Sequence, residues 1–186
     1  MKTNYQSKKR RREELRENTE FRNYVADMKQ HIVTTRFNHI TWKENEEYRK
    51  THNSFGCIYG VPDQVSSLYK EKSVMFVLEM NNSINKIMGI GMVANICHVK
   101  KYRVYNDDNY NRYAYVGKYH IDRNNVSDDE EIIFQVLDNL CFLGAGHQKR
   151  PTGIKGFPID KLFKLKKNKD LDLVDYIKNM FKQLVV

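Results

Sequence analysis

Val74-Met75-Phe76-Val77-Leu78-Glu79-Met80, then Asn81-Asn82-Ser83 and Asn85-Lys86, then Ile87-Met88-Gly89-Ile90-Gly91-Met92-Val93 is the stretch on which the reading of the fold turns. Two apolar runs of strand length flank a cluster of turn-forming residues, the pattern of a β-hairpin. Gly89 and Gly91 alternate with apolar residues in the second run. Such glycines either let another element approach closely or relieve strand curvature.

Working outward, His31-Ile32-Val33-Thr34-Thr35-Arg36-Phe37 is rich in β-branched residues and reads as a strand. Ahead of it, Phe21, Tyr24, Val25 and Met28 have the spacing of a short amphipathic helix over 19–29. Thr41-Trp42-Lys43-Glu44 has capping-box form and predicts a charged helix to about 49. Phe55-Gly56-Cys57-Ile58-Tyr59-Gly60-Val61 reads as a buried strand, and Pro62 suits the first turn of a helix over 63–70. Beyond the hairpin, 99–105 and 110–121 read as strands around a turn at Asn106-Asp107-Asp108-Asn109. Ser127-Asp128-Asp129-Glu130 is a second capping box, opening a helix to 143 with Gly144 as its stop. A final helix is expected over 171–184, with Val174, Ile177, Phe181 and Leu184 on one face. Hairpin-like strands with interspersed helices predict a single α+β domain over 19–186, built on an antiparallel or mixed sheet. In front lies a basic segment, 1–18, with Lys8-Lys9-Arg10-Arg11-Arg12. Adjacent cations repel one another, so a mobile segment or frayed helix is expected there, serving as a nucleic-acid arm or import signal, or simply as a solvated tail.

The chain has 186 residues, and its 32 Lys and Arg outweigh 23 Asp and Glu to give a net charge of +9. That charge attracts polyanions. An inert basic surface is the plain alternative. The three cysteines, Cys57, Cys97 and Cys141, are scattered, and neither a leader-like apolar segment nor a membrane-length apolar run is present. An intracellular protein with reduced thiols is therefore expected, cytoplasmic or nuclear, with no membrane partner. The Asn, Lys and Ile bias fits an AT-rich genome. No Cys-x-x-Cys or His-x-x-x-His pair, P-loop, dinucleotide fingerprint or Gly-x-Ser-x-Gly elbow occurs. Asp128 to Glu131 read as helix-capping acids. The expectation is no metal, no cofactor and no catalytic centre, with a Cys141–His147 encounter as the one route to catalysis.

Two basic stretches carry interleaved aromatics. One runs Lys100-Lys101-Tyr102-Arg103-Val104-Tyr105 and on through Arg112-Tyr113-Ala114-Tyr115 to Lys118-Tyr119-His120. The other is the loop 144–158, where His147-Gln148-Lys149-Arg150 and Lys155 sit among glycines. Lys and Arg neutralise phosphates, aromatic faces stack on bases, and glycines let backbone N–H groups approach phosphate. For the tyrosine-rich strand, core packing is the competing reading; for the loop, a plain connection.

The region 33–142 resembles the PUA-like superfamily, especially its YTH and EVE branches. Thr41-Trp42, the Gly-Cys-Ile-Tyr-Gly strand at 56–60, the run Val74 through Ser83 and Met88-Gly89-Ile90-Gly91-Met92-Val93 carry the likeness. The chain also resembles proteins of large DNA viruses. The resemblance implies a curved antiparallel or mixed β-barrel flanked by helices, with 144–186 as an appended basic loop and helix. It further implies a pocket for an unpaired or modified base, read by stacking and by backbone contacts to the base edge. YTH domains hold methylated adenine between two or three aromatics, mostly tryptophans; here Trp42 is the only tryptophan. Trp42 and Tyr59, with Tyr113 or Tyr115, would stack. Lys149, Arg150 and Lys155 would hold phosphates, and His147 or Gln148 would touch a base edge. The expected function is non-catalytic nucleic-acid binding, to RNA or DNA. The alternative is a packaging protein of a virion that uses its basic surface without reading bases.

Overall fold

A computed structural model describes residues 13–14, 18–53, 56–144 and 146–184. The run Lys8 to Arg12 lies outside them, as does Phe55. Helix α1 (Thr19–Asp27) is capped by Asn18, whose side chain accepts the Phe21 N–H at 3.1 Å. Strand β1 (Gln30–Phe37) follows, then helix α2 (His39–Thr51). The capping box of α2 is Asn38 with Thr41, not Thr41 with Glu44. Asn38 accepts the Thr41 N–H at 2.8 Å and Thr41 returns the contact at 3.0 Å. Both pairs have the same spacing, and Asn at the cap satisfies the orphan donor at least as well as Thr.

Next come β2 (Cys57–Val61), β3 (Val74–Asn81), β4 (Lys86–Ala94), β5 (His98–Val99), β6 (Tyr113–Gly117) and β7 (Tyr119–Asp122). Helix α3 (Asp128–Phe142) carries the expected Ser127/Glu130 capping box and ends before Gly144 at φ +71°. A two-residue strand β8 (Lys155–Gly156) precedes α4 (Ile159–Lys169) and α5 (Leu173–Gln183). Helix α4 falls where no element was expected. Asp170, in the left-handed conformation at φ 53°, separates it from α5, which Asp172 caps.

The strands form two sheets. Five run in the order β7-β4-β3-β1-β8, with β1 and β3 parallel and the other neighbours antiparallel. Three form an antiparallel sheet, β2-β6-β5. The fold is α+β, but the two sheets hydrogen-bond separately and no closed barrel forms among the described residues. One face of the larger sheet (Ile32, Phe76, Leu78, Met80, Ile90) packs with α3, α4 and α5; Phe76 stacks on Phe181 at 5.4 Å. The other face (Val33, Met75, Val77, Val93) packs with Ile58, Tyr59, Val61 and Tyr115 of the smaller sheet. Both faces of β3 are covered, which is why its sequence reads as one continuous apolar run.

Three local expectations fail for identifiable reasons. Over 62–70 there is no helix: the Val65 N–H donates to the Tyr115 hydroxyl at 2.9 Å, and Tyr69 packs edge-on to His31, so tertiary contacts hold the chain open. The strand expected over 99–105 stops at Val99, because Lys100 turns the chain at φ 48°. The Val104 and Tyr105 N–H groups then donate to the side-chain Oδ1 of buried Asn111, at 2.9 and 3.0 Å, in place of a strand partner. The long strand expected over 110–121 breaks at Lys118. Its first half stays in the smaller sheet and its second half crosses to the larger one. Strands that switch sheets make the corners of such packings.

At the heart of the sheet–sheet interface lies a carboxylate. Glu79 is fully buried in β3, and opposite it Met88 and Gly89 of β4 bulge, since Leu78 pairs with Ile90 but Met80 with Ile87. The Tyr59 hydroxyl donates to Glu79 Oε1 at 2.8 Å, and His120 Nε2 lies 2.9 Å from Oε2. Arg49 Nη1, reaching in from α2, is 3.7 Å from Oε1 and 3.0 Å from His120 Nε2. The two glycines of the hairpin are there for close approach. A Cβ on Gly91 would strike the Tyr59 hydroxyl, and one on Gly89 would stand 2.7 Å from both Glu79 Oε2 and His120 Nε2. Burial pushes the Glu79 carboxyl up, but His120, Arg49 and the Tyr59 hydroxyl outweigh it and hold the group below its ordinary value of 4.5.

Glu79→Gln strands the Arg49 charge, and uncovering one partner of a buried pair costs about 3–5 kcal/mol; urea unfolding near neutral pH measures it, and a loss under about 1 kcal/mol would refute the role given to the network. Because the folded carboxyl titrates below its unfolded value, its contribution is complete above pH 4.5 and is lost as pH falls through the folded value. Wild-type stability should therefore carry an acid-labile component below pH 4.5 that the Gln variant lacks.

Candidate functional site

The end of β1, the first turns of α2 and the segment 105–110 enclose a cleft of about 600 Å³. Clefts of roughly 300–1,000 Å³ take small molecules or single bases. Its aromatic side is Tyr105 and Tyr110, packed edge-on at 6.0 Å and 73°. Tyr105 is buried and its hydroxyl accepts from Asn45 Nδ2 at 3.1 Å; burial pushes that hydroxyl up, so it stays protonated. Tyr110 is only partly buried and is the ring available to a ligand. The Tyr105 ring and the Tyr110 backbone press against strand β2 at Gly60: a Cβ there would strike the Tyr110 carbonyl and stand 2.8 Å from the Tyr105 ring.

Helix α2 supplies the facing wall with Thr41 and Glu44. Glu44 Oε1 accepts from the Asn106 side chain at 2.5 Å, tying the helix to the tyrosine segment. Asp107 accepts the Asn109 N–H at 2.9 Å. The lip carries Arg36 and Asn82. Asn82 donates to the Lys149 carbonyl at 3.0 Å, while its buried Oδ1 has no hydrogen-bond partner. A buried acceptor without a partner costs about 1–3 kcal/mol unless a water or ligand donor meets it.

Arg36 joins this cleft to the basic loop. Its Nη1 donates to the Lys149 and Arg150 carbonyls at 3.4 and 3.3 Å, and its Nη2 to the Thr152 hydroxyl at 3.0 Å. Gly153 of the loop lines the cleft itself. At the loop's start the Gln148 N–H donates to the Cys141 carbonyl at 2.7 Å, Gln148 Nε2 to the Gly146 carbonyl at 2.8 Å, and the Lys149 N–H to His147 Nδ1 at 3.4 Å. Lys149, Arg150, His147 and Gln148 thus stand together near the lip. Lys155 is exposed on β8, paired across to Thr34.

The aromatic candidates do not converge. Tyr59 is fully buried and spends its hydroxyl on Glu79; Tyr115 is buried and spends its own on Val65, so neither offers a face to a base. Tyr113 is partly buried in β6, opposite Val61 and Val99. Trp42 stands behind the cleft, edge-on to Phe37 at 5.3 Å with Arg49 5.7 Å from its ring; Phe37, not Trp42, lines the cleft. Sequence reasoning missed Arg36 and Tyr110, and named Tyr105 only within the basic, aromatic stretch. The signal was weak: one cation inside a β-branched run, and two tyrosines bracketing what reads as a turn. Burial pushes the Cys141 thiol up to about 12, far from a thiolate. Among the described residues no group of three or more His, Cys, Asp or Glu is placed to hold a metal ion, and no helix is long and apolar enough to cross a membrane. No family model, curated protein or solved structure matches the chain.

Arg36→Ala should release the loop from the lip. Hydrogen bonds from charged donors contribute up to about 1.5–3 kcal/mol, so opening should rise about tenfold. Limited trypsin digestion after Lys149 reads this directly; an unchanged cleavage rate would mean that Arg36 does not hold the loop.

Proposed function

We propose that the protein binds unpaired nucleic acid without chemical turnover, seating one base against Tyr110 in the cleft while the loop 147–155 neutralises the adjoining phosphates. A PUA-like architecture, and reading of an unpaired base in the manner of that superfamily, are part of the proposal. The observation that carries it is the position of Arg36. This one side chain belongs to the cleft and also ties down the loop that bears Lys149 and Arg150.

Further support comes from the polar groups around the tyrosines. Glu44 and Asp107 offer acceptors and Arg36 offers donors, a mixture suited to the edge of a base. The net charge of +9 supplies long-range attraction for a polyanion. The cleft's aromatic lining is Phe37, Tyr105 and Tyr110 with no tryptophan, so methylated adenine is not singled out over another base.

Trp42 touches Phe37 at the back of the wall and reports on occupancy. Titration with single-stranded RNA and DNA at two salt concentrations should give saturable quenching. Tyr110→Ala should cost about 1–3 kcal/mol of affinity, the range for one stacked base. The pair Lys149→Ala with Arg150→Ala should weaken all sequences alike and reduce the salt slope by about 1.4, the single-strand value for two phosphate contacts. Binding indifferent to Tyr110 and to base identity, and lost with salt, would make this a charge-driven packaging protein.

A further inference from the structure

The segment 105–112 has a second concave side. Opposite the cleft it borders a depression of about 500 Å³, framed by Lys100, Lys101 and Arg103 on one limb and by Arg112 on the other. Resting on the nucleic-acid reading of the cleft, we infer that this basic cup is a phosphate subsite for the strand flanking the seated base.

Four cations meet one carboxylate in the cup, Asp108, and the one ion pair there among the described residues, Arg103 to Asp108 at 3.5 Å, has both side chains 76% exposed. A pair that open contributes little and yields readily to a better anion. Lys100, Lys101 and Arg112 are exposed and form no ion pair among the described residues.

The cup is built into the backbone. Lys100 holds φ 48°, a conformation unfavourable for a residue with a side chain, which persists only where its surroundings enforce it. The enforcing contacts are present: the Lys100 N–H donates to the Arg112 carbonyl at 3.0 Å, and buried Asn111 binds the N–H groups of Val104 and Tyr105 and, at 2.6 Å, the Tyr105 carbonyl. The same short segment presents Tyr110 to the cleft and Asn109 and Arg112 to the cup. A strand that places a base against Tyr110 meets these cations on crossing the segment. An isolated anion has no use for such continuity, whereas a polymer with one phosphate per residue does.

The test uses the full chain and a variant carrying Lys100→Asn, Lys101→Gln and Arg112→Gln, where Asn keeps the left-handed turn accessible. Each is titrated, by Trp42 fluorescence and by anisotropy, with a mononucleotide and with single-stranded oligonucleotides of three and six nucleotides. Wild-type affinity should rise with length. The variant should bind the mononucleotide as wild type does, lose about tenfold or more on the longest oligomer, and show a salt slope shallower by about 2, at roughly 0.7 per phosphate contact. Equal length dependence and equal slope in the two proteins would overturn the cup while leaving the cleft reading intact. So would an unchanged length dependence combined with loss of binding to phosphatidylserine vesicles, which would assign the cup to a membrane surface. Failure of the wild type to bind any of these nucleotides would overturn the cleft reading and this inference with it, and loss of the mononucleotide by the variant alone would overturn the cup as a separate subsite.

Discussion

A single buried carboxylate organises this protein. Glu79 sits in the central strand, inside the interface of two sheets, where an isolated charge would be prohibitively unstable. It is tolerated because three elements bring partners to it: β2 brings Tyr59, β7 brings His120 and α2 brings Arg49. His120 Nε2 faces a carboxylate and a guanidinium at once. A hydrogen on that nitrogen is aligned by Glu79 and opposed by Arg49, so small displacements of α2 or β7 upset the balance. Such a network specifies position more than it adds stability. Apolar contacts between the sheets tolerate sliding; a hydroxyl, an imidazole and a guanidinium converging on two oxygens do not.

The cleft inherits its geometry from that network. Arg49 anchors the C-terminal half of α2 on Glu79, and the N-terminal turns of the same helix form one cleft wall. From that wall Glu44 reaches across to Asn106, while Asn45 reaches inward to the Ile58 carbonyl and the Tyr105 hydroxyl. Helix and tyrosine segment are therefore fixed to each other and to β2. The basic loop is attached separately, by Arg36 and Asn82, through the Lys149 and Arg150 backbone carbonyls and the Thr152 hydroxyl. That leaves the side chains of Lys149 and Arg150 uncommitted to the tether.

The legible part of the fold was the part whose pattern is local. The hairpin, the capping box at Ser127 and the apolar face of the last helix depend on neighbours within a few residues, and the structure has all three. What failed was decided by distant residues. Nothing near Pro62 reveals that Tyr115 will capture the Val65 N–H, and nothing in the tyrosine-rich run reveals that it changes sheets at Lys118. Tyr59 and Tyr115 show the same limit for the site. A tyrosine in a β-strand is equally suited to stacking on a base or to spending its hydroxyl in a core, and only the other sheet decides. The basic loop was readable because charge and glycine spacing coincide in one short segment. Its partner Arg36 was not, since an Arg on an edge-facing position looks like any solvated residue. One clue was present throughout: Glu79 is the lone charge in an eight-residue strand otherwise buried or half-buried, which marks a demand for partners.

Charge around the cleft is divided in a way that bears on how any strand would lie. Glu44 and Asp107 line the cleft, and its one lining cation, Arg36, is tied to the loop; cations without an ion pair among the described residues stand outside, Lys149 and Arg150 on one flank, Lys100, Lys101 and Arg112 on the other. Two like charges 4 Å apart repel by about 1 kcal/mol in water and by more at a partly desiccated surface. On the proposed reading, a phosphate is thus discouraged from entering the cleft and drawn to either flank, while a base edge carrying N–H donors meets the Glu44 and Asp107 acceptors. The arrangement separates the two halves of a nucleotide by polarity. On the proposed reading the ring goes in and the phosphate stays out, with the tyrosine segment as the divide between them.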